Sequence, residues 1–347
     1  MAVMQSDETG WVLSHESYIN YLYSETSTSD GVKSFSLNSR LFDIKVPFKK
    51  KCHSENELNP SQDVRTVKNA YNNLRLLYNF PFDPSELNEK SNRSAKSLAD
   101  EFYCQLSRHP DFSFHGGNDS TEAISKEIGG EHYLIPKNCL FYCYDVEQLL
   151  KHLQGKRYNF ILLDPPWWNK FLRRKRKKNT KFVYNMIFDK KLSSIPIPSL
   201  LSKEGIVAVW CTSAPSHINA VVSELFPAWN LEYLTQWFWL KVTKFGQPIC
   251  DFSPGLGKQP FERIIFGIKK GEIREIQNPE KDKVIISIPS SIHSHKPPLC
   301  EVIKPYLPKE PKCLELFARY LIPTWTSYGN EVLKLQHLSL YEETVRN

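Results

Sequence analysis

The chain has 347 residues, 13% of them aromatic, and a formal net charge of +7. That is enough for one large domain or two modest ones, and enough charge to suit a polyanionic partner without demanding one. The eight cysteines include no C-x-x-C pair, the start lacks the basic flank and apolar core of a signal peptide, and no apolar run approaches membrane-spanning length; a disulfide scaffold, a secretory leader and a membrane protein are therefore not expected.

Residues 1 to about 60 mix short apolar segments (Trp11 to Leu13, Tyr18 to Tyr23, Leu41 to Val46) with Ser/Thr-rich connections and a basic cluster, Lys49, Lys50 and Lys51. Ser61 is placed to cap a helix carrying Val64, Val67, Tyr71, Leu74 and Tyr78 on one face, which Pro81 and Pro84 end. The polar run Ser85 to Ser97 reads as a linker, Ala99 to Leu106 as a second helix, and Pro110 with Gly116, Gly117, Asn118 and Asp119 as a loop. This part lacks an alternating β/α rhythm, so residues 1–125 are expected to form an N-terminal accessory domain that is a candidate for nucleic-acid contact.

From about Ile135 the rhythm changes. Strands are expected at Cys139 to Tyr144, around Phe160 to Leu163, and at Gly205 to Cys211, Tyr233 to Leu240, Arg263 to Ile268, Val284 to Ile288, Cys313 to Phe317 and Val332 to Leu335. Helices are expected at Asp145 to Leu153, Ser216 to Leu225 and Pro298 to Tyr306. Strands alternating with helices indicate an α/β fold with a mostly parallel, doubly wound sheet over residues 126–347.

The chain is organised around Tyr158-Asn-Phe-Ile-Leu-Leu-Asp164-Pro165-Pro166-Trp167. Its apolar run reads as a strand buried on both faces, stopped by an acid and two prolines that cannot extend a sheet. One carboxylate and two rigid carbonyls are thereby held at a strand's carboxyl end, where open α/β sheets bind ligands. This suits transfer to the exocyclic amine of adenine, whose lone pair is delocalised into the ring. Asp164 and the Pro165 carbonyl would each accept an N–H, and Trp167 would stack on the base and fix its plane. The alternative is a strand-ending turn with an exposed tryptophan. A basic run follows, Arg173, Arg174, Lys175, Arg176, Lys177 and Lys178, which suits phosphate contact and nuclear import. Cys139 and Cys143 with His293 and His295 have poor metal-ligand spacing, and no metal is expected.

Six motifs occur in one order: Asp164-Pro-Pro-Trp167, Trp237-Phe-Trp-Leu-Lys241, Lys258-Gln-Pro-Phe-Glu262, Ser294-His-Lys-Pro297, Leu314-Glu-Leu-Phe-Ala-Arg319 and Trp325-Thr-Ser-Tyr-Gly-Asn-Glu331. From about residue 135 onward the chain resembles the adenine-N6 methyltransferase family of the mRNA adenosine methyltransferase catalytic subunit. Through His293 to Leu299 and Gly329 to Lys334 it is most similar to the methyltransferase-like protein 4 branch. The resemblance implies a class I, S-adenosylmethionine-dependent, Rossmann-like fold in which the catalytic strand precedes the donor-binding strand. That later strand lacks a G-x-G here. Asp164 would face both the target amine and the donor's ammonium group, and Lys296 would pair with the donor carboxylate. Arg319 and Asn330 would hold the ribose with Glu315 behind them, and Asp145 and Val146 would read the donor adenine through main-chain groups, with Asp145 also a candidate helix cap. Trp210, Trp239, Lys241, Glu262 and Tyr184 would line the acceptor side. Two departures stand out: Tyr320-Leu321-Ile322 replaces a polar segment, and Glu331, a further donor-binding position, replaces a glutamine and adds a negative charge that would alter the hydrogen bonding to the donor. The expected acceptor is an internal 2′-O-methyladenosine of a spliceosomal small nuclear RNA, with DNA adenine, or a catalytically silent nucleic-acid-binding subunit, as alternatives. A nuclear protein, also cytosolic, that acts as a monomer is expected.

Overall fold

The computed structural model describes residues 2–48, 60–87, 89–106, 113–167, 189–253 and 258–344. In chain order the strands are β1 (Val3–Asp7), β2 (Gly10–Leu13), β3 (Thr26–Thr28), β4 (Gly31–Leu37), β5 (Phe114–Asn118), β6 (Ala123–Ile128), β7 (Glu131–Ile135), β8 (Cys139–Cys143), β9 (Tyr158–Leu163), β10 (Leu201–Cys211), β11 (Leu231–Lys241), β12 (Phe261–Lys269), β13 (Val284–Ser287), β14 (Cys313–Leu316), β15 (Trp325–Tyr328) and β16 (Tyr341–Thr344). Eleven form one sheet in the order β1-β2-β13-β11-β12-β10-β9-β14-β15-β8-β5, and the other five a smaller sheet, β16-β4-β3-β6-β7. β8, β15, β14, β9 and β10 run parallel, whereas β12 is antiparallel between β10 and β11. Strand β14, from near the end of the chain, thus lies at the centre beside β9.

Strand β9 alternates between two cores. Phe160 and Leu162 enter one cluster, with Trp210, Trp237, Trp239, Ile264 and Phe266; Ile161 and Leu163 enter the other, with Val207, Val209, Ile265, Leu314 and Leu316. A strand sandwiched in this way has no polar face to show, which is why its sequence is a continuous apolar run. Helical turns Pro215–Asn219, Ala220–Leu225 and Phe226–Ala228 follow one another, the middle one π-helical, and bury Val221, Leu225 and Phe226 on the second cluster.

The first 125 residues do not enclose a core of their own among the described residues. β2 pairs with β13 and β5 with β8, while Leu13, Tyr18, Phe42 and Phe102 share a cluster with Phe160, Leu162 and Trp210. Helix α1 (His15–Leu22) follows β2 directly. Helix α2 (Gln62–Leu77) begins on Ser61, whose hydroxyl accepts from Val64 N, and packs Val64, Val67, Tyr71 and Leu74 against Phe238, Leu240 and Ile286.

Three local expectations are corrected. The run 85–97 is mostly helix, because α3 spans Glu89–Leu106; Asn92, Ala95, Ala99 and Phe102 are buried along it, and the Asn92 amide is satisfied by Lys45 N, Val46 N and Val46 O. Gly116 and Gly117 are strand, because the chain passes too close to β8 for side chains. An added Cβ would meet Phe141 Cζ at 2.9 Å or Cys139 O at 2.4 Å. The last strand of the large sheet is β15, not Val332 to Leu335, which instead leads into a short 3-10 turn, Lys334–Gln336. No helix of the described residues is long and apolar enough to cross a membrane.

Candidate active site

The site follows from the period of two. Leu162, Trp210, Trp237, Trp239, Ile264 and Phe266 all face one side of the sheet. Continuing each strand by its alternation puts Asp164, Lys241, Glu262 and Glu315 on that same side, at the edge where the parallel strands end. Two loops cover this edge: one brings Ser294 and Lys296 after β13, the other brings Arg319 after β14.

Asp164 is 6% exposed and is approached by three protein groups. Its Oδ2 accepts from Ser294 Oγ at 2.9 Å and from Arg319 Nη1 at 3.3 Å, and Lys296 Nζ lies 3.5 Å from Oδ1. Lys296 also donates to Glu262 Oε2 at 2.5 Å, and the other oxygen of Glu262 takes Lys241 Nζ. In the opposite direction Arg319 Nε reaches Glu331 Oε2 at 3.3 Å, and Lys334 donates to Glu331 Oε1 at 2.5 Å. Cations and anions therefore alternate without a break from Lys241 through Glu262, Lys296, Asp164, Arg319 and Glu331 to Lys334. Burial alone would lower the Lys296 pKa, but Asp164 and Glu262 raise it overall. Burial would likewise raise Glu262, yet Lys241 and Lys296 hold it below the usual carboxylate range. Such pairing is what makes buried charges tolerable.

Glu315 is the exception. It is 3% exposed, its Oε2 has no hydrogen-bond partner, and its pKa is pushed up to about 8 by burial and then by Asp164, against Arg319. A buried acceptor without a donor is costly and suits a ligand hydroxyl. Beside it, Phe317 has φ +61°, so the turn after β14 takes the left-handed conformation that a glycine would adopt at less cost. Gly329 lies against this turn, where a Cβ would come within 3.0 Å of Ala318 N and O.

At the far rim, Asp145 Oδ1 caps the turn at Glu147 N and its Oδ2 accepts from Asn330 Nδ2 at 3.2 Å. Asn330 is exposed and aligned with Asp145, while Arg319 turns to Asp164 and Glu331; the expected Arg319–Asn330 pair is divided between two neighbouring places. Val146 buries its side chain in the second cluster.

Just past Asp164, Pro165 O already accepts Trp167 N at 2.8 Å, which leaves one lone pair for a further donor. Trp167 is not an exposed platform. Its Nε1 donates to Trp210 O at 2.7 Å, and His217 stacks on it at 5.1 Å and 19°. Trp210 and Trp239 meet edge to face at 5.7 Å and are 1% and 2% exposed. Lys296 Nζ sits 5.2 Å over Trp210, and Lys241 Nζ 4.4 Å over Trp239. These two rings carry the lysines rather than line an open pocket. Trp239 Nε1 in turn donates to Ser287 Oγ at 2.7 Å, and His15 Nε2 lies 3.2 Å from the same hydroxyl.

With this arrangement in place, comparison with known proteins finds that the MT-A70 family model matches residues 158–331, which is half of the chain. The chain belongs to the MT-A70 family. The match runs from β9 through Asp164 and the Lys296 and Arg319 loops to Glu331. MT-A70 methyltransferases use S-adenosylmethionine.

This MT-A70 chain is 34% identical over 234 residues to the mouse "N(6)-adenine-specific methyltransferase METTL4", covering 65% of the chain and 48% of that protein. It is 36% identical to the Pyricularia oryzae "N6-methyladenosine RNA methyltransferase MTA1" (52% of the chain, 49% of that protein). It is 32% identical to a Caenorhabditis elegans "DNA N6-methyl methyltransferase" (64% and 59%). The chain spans about half the length of the first two of these relatives.

Arg173, Arg174, Lys175, Arg176, Lys177, Lys178 and Tyr184 lie outside the described residues. Tyr320, Leu321 and Ile322, which depart from the family pattern, are core residues, 8%, 1% and 1% exposed. The extra charge of Glu331 is neutralised on the spot by Arg319 and Lys334. Ser294, Lys334, Ser287 and His217 were not foreseen. Ser294 and Lys334 lie within or next to the motifs, whereas Ser287 and His217 carry no sequence signal at all. Among the described residues no group of three or more His, Cys, Asp or Glu is set to hold a metal ion.

Proposed function

We propose that this MT-A70 chain transfers a methyl group from S-adenosylmethionine to N6 of adenine in RNA, with an internal 2′-O-methyladenosine of small nuclear RNA as the preferred acceptor. The observation that carries the reading is the convergence on one buried spot of Asp164, Lys296 and the unsatisfied Glu315 carboxylate oxygen. That set fits the donor. Lys296 would hold its carboxylate, Asp164 its ammonium group and Glu315 a ribose hydroxyl, with Asp145, Val146 and Asn330 at the rim for its adenine and ribose. The strand sequence β8-β15-β14-β9-β10-β12-β11 supports a class I sheet with the donor strand β14 last in the chain. The donor supplies an electrophilic methyl on a sulfonium.

The remaining work falls to side chains of this chain. Asp164 and the free lone pair of Pro165 O would each accept a hydrogen bond from one N–H of the amine and so orient the nitrogen lone pair. Lys296 and Arg319 fix the Asp164 carboxylate in place beforehand, so little reorganisation is needed during reaction. The base must leave its stack to reach Asp164, which favours single-stranded or loosely paired acceptors. The basic run Arg173 to Lys178 would follow the phosphate backbone and serve nuclear import, and the chain would act as a monomer. The name of the worm relative keeps DNA adenine as the second acceptor to test.

The test is a methylation assay on 2′-O-methylated RNA, unmodified RNA and DNA oligonucleotides, run with the native chain and Asp164→Ala. Methyl transfer to the 2′-O-methylated RNA that disappears in the variant is expected. Absence of S-adenosylhomocysteine binding would instead favour a silent nucleic-acid-binding subunit.

A further inference from the structure

Glu262, expected on the acceptor side, is committed to two lysines at once. Its carboxylate is divided between two ammonium groups: Oε1 with Lys241, Oε2 with Lys296 at 2.5 Å. Its side chain is 21% exposed and that of Lys241 20%, against 9% for Lys296 and Asp164. Lys241 is therefore the solvent-facing end of the trio and Lys296 the interior end. Both ammonium groups also rest on tryptophan faces, Lys241 on Trp239 and Lys296 on Trp210, so neither can move far without losing a second favourable contact. One anion thus serves two cations, of which Lys296 also reaches Asp164 Oδ1 at 3.5 Å while Lys241 is held by Glu262.

We propose that Glu262 is a positioning residue whose shared carboxylate makes donor-side and acceptor-side binding mutually antagonistic. The inference rests on the functional reading above, which gives Lys296 the donor carboxylate, and on the expectation from the sequence that Lys241 lines the acceptor side. An anion arriving at Lys296 weakens the hold of Lys296 on Glu262, and Glu262 leans on Lys241. A backbone phosphate arriving at Lys241 must then displace a carboxylate that has no second cation to return to. The converse holds when phosphate binds first. Coupling of this kind is reciprocal by thermodynamic necessity. Its benefit falls on product release. The product retains the amino-acid carboxylate but has lost the sulfonium charge that would attract the nucleic acid. Product and acceptor therefore oppose each other more than donor and acceptor do, and each helps to expel the other after transfer.

The experiment is calorimetric titration of S-adenosylhomocysteine into the full chain at fixed ionic strength, with and without a saturating single-stranded, adenosine-containing RNA of about a dozen nucleotides. The expected result is a dissociation constant about fivefold or more weaker in the presence of the RNA, within the ordinary range for coupled sites. In Glu262→Gln both ligands should still bind and the ratio should fall to near one. If Glu262→Gln proves unfolded by thermal melting, Lys241→Gln should bind the RNA more weakly and bring the ratio to near one once the RNA is again saturating. Equal affinities with and without RNA in the native chain would overturn the proposal, as would undiminished antagonism in a folded variant. Failure of the native chain to bind S-adenosylhomocysteine at all would strike the functional reading instead, and so separates the two.

Discussion

The edge of the large sheet carries polar groups of two kinds. In the middle, Asp164, Lys296 and Arg319 sit 6 to 11% exposed at the side chain or residue level and lean on one another. At the rim, Asp145 meets an exposed Asn330, and Lys191 pairs with Glu147 at side-chain exposures of 59% and 58%. The same chemistry has different consequences in the two places. Breaking a buried pair strands a charge that water cannot reach, whereas an exposed pair is worth about 0–1 kcal/mol because water replaces either partner. The middle should therefore set whether the reaction occurs, and the rim only how tightly the donor is held.

The largest expected effect lies at Asp164. Asp164→Ala should lower methyl transfer at least about a hundredfold, the scale of removing one preorganised electrostatic contact, while nucleic-acid binding in a filter assay largely survives. Comparable turnover would place the chemistry elsewhere. Next comes Lys296→Met. Glu262 keeps Lys241 and Asp164 keeps Arg319 and Ser294, so the fold should hold. S-adenosylhomocysteine affinity should fall about 10- to 100-fold through loss of a charge-assisted contact. An equal fall with an analogue that lacks the carboxylate would refute that assignment.

Much of the middle was legible in the sequence because its residues sit where a strong pattern stops. Phe160 to Leu163 is apolar on both faces, so the acid that follows had to mark the strand's end. Arg319 closes a similar run after β14. The links between these residues were not legible, since Asp164–Ser294 and Lys296–Glu262 join positions 130 and 34 residues apart. The roles of Trp210 and Trp239 depended on what covers their rings, and Lys296 and Lys241 cover them. The first 125 residues show no β/α rhythm for a related reason. A strand such as β2 borrows its partner, β13, from 274 residues further on, so no local rhythm betrays it. Asn92 disguised α3 as a linker, because its polar side chain is buried against the backbone of Lys45 and Val46.

Glu315 lies between the two regimes, buried like the middle yet with its Oε2 left without a hydrogen-bond partner. Its pKa stands at about 8, above the ordinary 4.5, so the folded protein favours the proton. The unfolded chain ionises first, and Glu315 therefore costs stability progressively as pH rises from about 4.5 to about 8. Donor binding should respond in the opposite sense, because a ribose hydroxyl donates better to the carboxylate. S-adenosylhomocysteine affinity should rise about tenfold between pH 7 and pH 9, the change in ionised fraction for such a pKa. Glu315→Gln should flatten that rise. A slope that persists in the variant would assign the titration to another group.

The smallest effect belongs to the rim, and it tests the comparison most directly. In Asn330→Ala the Asp145 carboxylate loses one hydrogen bond but keeps its cap on Glu147 N and gains water. The melting temperature should hardly move, since an exposed contact of this kind contributes about 1 kcal/mol or less. Donor affinity should fall about two- to fivefold, with the maximal rate unchanged when donor is saturating. A loss in maximal rate comparable to that of Asp164→Ala would mean that the rim reaches the reacting atoms. The distinction between a chemical middle and a binding rim would then have to be abandoned.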